Sequence, residues 1–336
     1  MENPFTFLRI TADPSCNLAC IYCNPERRFK PIKMPTSEVI ETVRAGFQLG
    51  IKTVHLTGGE PTKRRDIVEL VAGIRNEGVE TIEMTTNGVL FNKIAENLAD
   101  AGLTGVNISL DTLDQNKFKF ITGVDALPLV LGSIEKARNL FGSNVSINMV
   151  VMKNNLDEIR DFVEFSRQTG VMVRFCELTP QGPYMEDSPD FFAQNHVPKE
   201  GILNAIKEVA PIDDLKKDPF DKQNAHSEYY TLGGEYNDMT IGIIAPFSNG
   251  WPCPGTGCTR LRIGPTGGNS CVIYPERRLM GLSFEEKLLV IQELIDERQH
   301  QMDNSLFPPH HVPTYLPYRF GLDSSLVEIS PTSTLN

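Results

Sequence analysis

Between residues 5 and 180, strand-like and helix-like stretches alternate so regularly that few folds stay open. Residues 5–11 read as a strand. Val39, Ile40, Val43 and Phe47 then follow a 3.6-residue period, with Thr36 placed to cap that helix and Gly50 to stop it. A short strand at 52–56 precedes a helix face made by Ile67, Val68, Val71 and Ile74. Strands are predicted at 81–84, 105–110, 146–152 and 171–177. Helices are predicted at 94–101, at 128–140 with Pro128 in the first turn, and over Ile159, Phe162 and Val163 between an Asn155 cap and Gly170. Such alternation builds βαβ units and a parallel sheet, whose chemistry gathers at the carboxyl ends of the strands.

After Pro180 the pattern breaks. Residues 180–200 read as loop, and 200–240 as one helix (202–209) followed by a polar linker. Residues 241–275 are rich in Gly, Pro and Cys; a helix is predicted at 284–297, and the tail from Asn304 is rich in proline. The expected division is a barrel-like domain at 1–220 and a smaller C-terminal domain at 221–336.

Composition narrows the function. A net charge of −11 argues against a broad nucleic-acid surface, though a local basic pocket could still take a small anion. No apolar run is long enough to span a bilayer, and the first residues lack the basic and apolar regions of a signal peptide. Seven cysteines, six of them in two tight groups of three, do not resemble a disulfide framework. Metal ligation in a reducing cytoplasm fits better.

The first group is Cys16-Asn-Leu-Ala-Cys20-Ile-Tyr-Cys23. Three thiolates at this spacing can hold three corners of a cubane iron–sulfur cluster and leave the fourth iron open. A zinc knuckle would need a fourth ligand, and the loop offers none nearby. Gly58-Gly59-Glu60-Pro61 follows the second strand, where two glycines permit close backbone approach and a carboxylate can hold an ammonium group. The second group is Cys253, Cys258 and Cys271; a zinc site completed by a remote ligand, or one spare cysteine, is the alternative there. Cys176 lies in a predicted strand, where packing is its expected role. Arg260 and Arg262 follow Cys258 at a spacing that, in an extended segment, turns both side chains one way.

With Leu8-Arg9-Ile10, Arg64-Arg65-Asp66, Thr85-Thr86-Asn87-Gly88, Asn107-Ile108-Ser109-Leu110-Asp111, Arg174-Phe175-Cys176-Glu177-Leu178 and Cys258-Thr259-Arg260-Leu261-Arg262, these motifs run nearly the whole length of the chain. Together they resemble the radical S-adenosylmethionine superfamily and, within it, the MoaA-like GTP 3′,8-cyclase family. The resemblance implies a partial (β/α)6 TIM-type barrel closed by a smaller auxiliary iron–sulfur domain. Cys16, Cys20 and Cys23 would hold a [4Fe–4S] cluster whose open iron takes S-adenosylmethionine. Tyr22, Gly58, Gly59, Glu60 and Ser109 would contact that cosubstrate. Reductive cleavage would give a 5′-deoxyadenosyl radical that abstracts a substrate hydrogen. Cys253, Cys258 and Cys271 would hold a second [4Fe–4S] cluster. Arg9, His55, Thr85, Arg174, Arg260 and Arg262 would face the substrate. Expected partners are a small anionic substrate and a reductant of the flavodoxin or ferredoxin type; a homodimer is left open.

The chain also departs from the family. His55 replaces an arginine and Ser146 a lysine, so two permanent positive charges are missing on the substrate side. Four residues rather than two separate Cys253 from Cys258, and the end, Ser333-Thr334-Leu335-Asn336, lacks the family's Gly-Gly tail. A nucleotide, nucleoside or nucleotide-sugar is therefore the expected substrate, with GTP cyclisation as the runner-up. A peptide-modifying radical enzyme is the next alternative, and such enzymes usually carry more C-terminal cysteines. A non-catalytic cluster protein would not need Gly58-Gly59-Glu60 or Ser109. His55 could be a packed core histidine, His310-His311 a solvated pair, and the acidic stretch 285–297 an exposed face.

Overall fold

The computed structural model describes residues 5–23, 33–179, 190–216, 227–248, 259–268 and 277–303. Ten strands form one sheet: β1 (Phe7–Asp13), β2 (Thr53–Gly58), β3 (Thr81–Thr86), β4 (Gly105–Ser109), β5 (Val145–Val151), β6 (Met172–Glu177), β7 (Ile212–Lys216), β8 (Ser227–Leu232), β9 (Thr240–Ile244) and β10 (Arg260–Ile263). Their order is β10-β1-β2-β3-β4-β5-β6-β9-β8-β7. Pairing is parallel from β10 through β9, and the last two pairs are antiparallel. Strands from both sides of residue 220 thus share the sheet.

Alternation along each strand sorts its side chains. Leu8 and Ile10 of β1, Val54 and Leu56 of β2, and Ile82 and Met84 of β3 are buried with Val39, Val43, Leu70 and Ile74 of the covering helices α1 (Thr36–Gln48) and α2 (Ile67–Asn76). Arg9, His55 and Glu83 occupy the alternate positions, and sit side by side in register. The sheet curls: Arg9 on β1 and Arg174 on β6 feel each other's charge. Five flat strand spacings would separate them by about 24 Å, beyond the reach of a screened interaction. Strands β1 to β6 with their helices therefore form the expected partial barrel, with a polar concave side.

Two expected caps are absent. Thr36 is the first residue inside α1, and its hydroxyl bonds Asp66 instead. Asn155 opens a short 3₁₀ turn, but its side chain bonds Met152 N, Asp111 O and Val150 O, tying β4 to β5. The helices predicted at 94–101 and 128–140 are α3 (Ala95–Asp100) and α5 (Leu127–Phe141), and Gly170 does close α6 (Ile159–Thr169) in the left-handed conformation. The predicted polar linker over 200–240 contains strands β7 and β8, which close the far edge as a meander with β9. A further helix, α4 (Gln115–Thr122), has no counterpart in the sequence reading; Asp114 caps it by accepting from Lys117 N at 2.7 Å, and Gly123 ends it at φ 73°. Among the described residues, no helix is long and apolar enough to cross a membrane.

The last described helix, Phe284–Asp303, is not simply an exposed acidic face. Ile291, Leu294 and Ile295 are buried, and so is Lys287, whose Nζ meets Glu38 at 2.8 Å, Glu41 at 2.6 Å and Leu282 O at 2.8 Å. Lys287→Met should strand two like charges on α1 and lower stability by about 2 kcal/mol, read as a fall in the thermal midpoint. An unchanged midpoint would show that the apolar face alone docks this helix.

Candidate functional site

The cysteine loop leaves the end of β1 and is held by its own backbone. Gly59 N donates to Asp13 O and Glu60 N to Ser15 O, both at 2.8 Å. Ala19 N and Ile21 N donate to Thr122 O and Ile121 O at the end of α4, at 2.8 and 2.9 Å. Buried Arg64 clasps both feet of the loop through Ala12 O at 2.9 Å and Met34 O at 3.0 Å. A Cβ on Gly58 would lie 2.2 Å from Asp13 O, and one on Gly59 2.4 Å from Pro14 O. The two glycines therefore admit the chain's own loop, which the sequence reading did not foresee.

Cys16, Cys20 and Cys23 are free thiols on this loop, Cys23 exposed and the others half-buried. Burial pushes the Cys20 thiol well above its ordinary value, and the charges of Asp111, Cys23 and Cys16 add to this. Leu18 N and Asn87 Nδ2 approach Cys16 Sγ at 3.4 and 3.6 Å, as donors to a thiolate would. Three soft donors on one loop, with the charges of Cys16 and Cys23 reaching Cys20, fit the ligand set of an iron–sulfur cluster.

Around the loop the other expected contacts are partly spent on protein. Glu60 is fully buried. Its Oε1 accepts from Thr62 N (2.9 Å), Thr62 Oγ1 (2.5 Å) and Thr86 Oγ1 (2.6 Å), and its Oε2 from Asn87 N (2.6 Å). Burial pushes the carboxyl above its ordinary range against the pull of these donors. The Tyr22 hydroxyl donates to Asp111 Oδ2 at 2.5 Å, and Asp111 Oδ1 accepts Val150 N at 2.8 Å. Burial raises the Asp111 carboxyl to about 6. Ser109 ends β4, in register with Asn148 of β5.

The concave side brings together Arg9, His55, Thr85, Arg174, Arg260 and Arg262. Arg9 donates to Thr57 Oγ1 at 3.3 Å, and Arg174 Nε to Asn148 Oδ1 at 2.8 Å. The Arg260 guanidinium lies 5.3 Å from the Phe7 ring. Burial holds Arg9 well below its ordinary value, helped by the charges of Arg262, Arg260 and Arg174. Ser146 Oγ donates to Asn107 Oδ1 at 2.6 Å, a neutral pair. Gly242 leaves room for Arg174, since a Cβ there would lie 2.7 Å from Arg174 Cγ. Cys176 Sγ approaches Arg174 O at 3.7 Å, and burial pushes its thiol up to about 12. Cys253, Cys258 and Cys271 lie outside the described residues.

His55 is buried between Glu83 and Thr85, with Phe7 5.5 Å away. Burial lowers it to about 4, with Arg9 and Arg260 assisting against Glu83. Unfolded histidine takes its proton near 6.5 and the folded one only near 4, so this site's contribution is present above pH 6.5 and lost as pH falls to 4. The loss amounts to about 3 kcal/mol. His55→Gln should flatten that stretch of the stability–pH curve in denaturant melts; an equally steep curve would place the acid sensitivity elsewhere. Glu83, Asp111, Asn87 and Arg64 carry much of this architecture yet were not singled out in sequence. Arg64, Asn87 and Asp111, inside the quoted motifs, left a signal; Glu83 left none.

Residues 13–166 match the Radical SAM superfamily. The GTP 3′,8-cyclase of Thermodesulfovibrio yellowstonii is 37% identical over 264 residues, 76% of this chain and 78% of that protein. That of Listeria monocytogenes serotype 4b is 33% identical over 315 residues, 91% and 89% of the two chains. Among solved structures, Streptococcus suis SuiB bound to S-adenosylmethionine shares the fold with a TM-score of 0.57 at 18% identity, covering 86% of this chain and 65% of SuiB. Native anSMEcpe with bound AdoMet and Kp18Cys peptide gives a TM-score of 0.57 at 16% identity, covering 84% of this chain and 80% of that one. The cysteine loop, the strand-end turns that hold it and these relatives converge on one conclusion: the chain belongs to the MoaA-like family of radical S-adenosylmethionine enzymes.

Proposed function

We propose that the enzyme acts on a small anionic molecule of the nucleotide, nucleoside or nucleotide-sugar class, bound on the concave side of the barrel. The observation that carries this is the gathering of Arg9, Arg174, Arg260 and Arg262, close enough that three of them depress the fourth. Like charges held together in a buried setting are costly, and an anion relieves that cost. The relatives named GTP 3′,8-cyclase support a nucleotide. Cys16, Cys20 and Cys23 would hold the [4Fe–4S] cluster. With S-adenosylmethionine bound, it supplies the radical that removes a substrate hydrogen. The protein's own part is to fix the loop, place the substrate and keep water out. Tyr22, Gly58, Gly59, Glu60 and Ser109 would line the cosubstrate side. Cys253, Cys258 and Cys271 would hold a second cluster.

GTP 3′,8-cyclase activity is the second reading, favoured by the names of the relatives. Neutral His55 and the Ser146–Asn107 pair favour a substrate with less charge than a triphosphate. Anaerobic reconstitution followed by iron analysis and a 5′-deoxyadenosine assay over a nucleotide and nucleoside panel tests all of this. About eight irons per chain supports two clusters and about four removes the second. Stimulation by a mono- or diphosphate, or by a nucleoside sugar, supports the first reading; GTP-dependent formation of a cyclised product supports the second. Arg260→Gln should weaken binding of the stimulating compound about tenfold to a hundredfold.

A further inference from the structure

Three polar side chains form a line on the concave side. Glu83 Oε2 lies 3.3 Å from His55 Nδ1, and His55 Nε2 lies 2.7 Å from Thr85 Oγ1. A carboxylate only accepts, so Nδ1 carries the ring hydrogen and Nε2 the lone pair. The hydrogen between Nε2 and Oγ1 is then Thr85's own, and the remaining lone pairs of Thr85 are left for a third group. A hydroxyl, an imidazole and an orienting carboxylate in this order have the geometry of a proton-withdrawing relay.

We infer that Glu83, His55 and Thr85 form a proton relay that deprotonates a hydroxyl of the anionic substrate, an inference that rests on the concave side being the substrate site. The substrate O–H bond breaks as its proton passes to Thr85 Oγ1. The proton that Thr85 held passes to His55 Nε2. The substrate oxygen keeps the electron pair and becomes an alkoxide on the arginine-lined side. Glu83 holds the resulting imidazolium through Nδ1. Charge and atoms balance without an oxidant or a further reactant. The substrate class is thereby narrowed to a molecule with a hydroxyl near its anionic group.

The surroundings make the relay conditional. The groups that act on His55 are Glu83 and Thr85 on β3, Arg9 and Phe7 on β1, and Arg260 on β10. Burial and the two guanidiniums keep the free imidazole a weak base. An anion on those guanidiniums cancels part of their repulsion, so His55 becomes able to take a proton when substrate is in place.

The test uses anaerobically reconstituted holoenzyme and inorganic pyrophosphate as the anion, with calorimetric titration at pH 6 in two buffers of different ionisation heat. Wild type should take up more protons per bound pyrophosphate than His55→Gln, by up to about one. Equal uptake in the two proteins overturns the relay and leaves the anion site standing. Failure of pyrophosphate to bind wild type removes the anion site and the relay with it. A ligand-free check covers a misfolded variant: in ¹⁵N-histidine-labelled wild type, His55 should carry its hydrogen on Nδ1, and an Nε2–H tautomer overturns the proposal outright. Per bound pyrophosphate, Thr85→Val should lose the extra proton uptake, because the imidazolium Nε2–H then has no acceptor, whereas Thr85→Ser should keep it; a Thr85→Val protein with full uptake also overturns the relay.

Discussion

Gly59→Ala is expected to cut stable cluster loading severalfold while leaving the barrel folded. The added Cβ would lie 2.4 Å from Pro14 O, 2.6 Å from Ser15 O and 2.7 Å from Ser15 C. All three are backbone atoms, so no side-chain rotation relieves them. The loop must retreat by close to an ångström, and its two anchoring bonds, from Gly59 N to Asp13 O and from Glu60 N to Ser15 O, stretch with it. Cys16 is the next residue along. Overpacking of this kind typically costs about 1–3 kcal/mol. Here the strain falls on the segment that must present three thiols to one cluster. Iron after anaerobic reconstitution should drop severalfold, with loss of the charge-transfer absorbance near the visible blue. Far-ultraviolet circular dichroism should stay close to wild type. Gly73→Ala makes a useful contrast, because its Cβ would meet only the side-chain end of Ile40. Full iron loading in Gly59→Ala would show that the loop tolerates displacement and that Gly59 serves a bound ligand instead.

The contrast between these glycines shows what was legible in the sequence. Short motifs with fixed spacing marked the cysteine loop, the Gly-Gly-Glu turn and the strand ends on which they sit, because each is a local stretch of chain. Periodicity located the parallel strands for the same reason. The partners of those motifs are far away in sequence and leave no periodic trace. Tyr22 meets Asp111 across 89 positions, and Arg64 reaches back 52 to Ala12. Helix α4, which receives the cysteine loop, is only eight residues long, too short for a clear apolar stripe. Strands β7 and β8 are polar enough to pass for a linker. Glu83 looked like any strand carboxylate until its register beside His55 put it on the concave side.

Glu60→Gln is the other substitution with a large expected effect, and it separates two accounts of that residue. The carboxylate receives two backbone N–H donors, from Thr62 and Asn87, and two hydroxyls, from Thr62 and Thr86. An amide keeps the shape but replaces one acceptor oxygen with a donor. Hydroxyls can rotate to accept, but a backbone N–H cannot. Whichever way the amide turns, it faces either Thr62 N or Asn87 N, and one buried N–H is left without an acceptor. That costs about 1–3 kcal/mol. Asn87 carries the consequence outward, because its side chain donates to Asn17 Oδ1 at 2.8 Å and approaches Cys16 Sγ at 3.6 Å. A clasp of this kind predicts lower stability and weaker cluster retention in Glu60→Gln, and a larger loss of both in Glu60→Ala, which strands all four donors. A carboxylate whose main duty is to hold the cosubstrate's ammonium group predicts the reverse pattern: normal iron content and melting, with a raised KM for S-adenosylmethionine alone. Iron analysis, a thermal melt and a cosubstrate titration on the two variants decide between them.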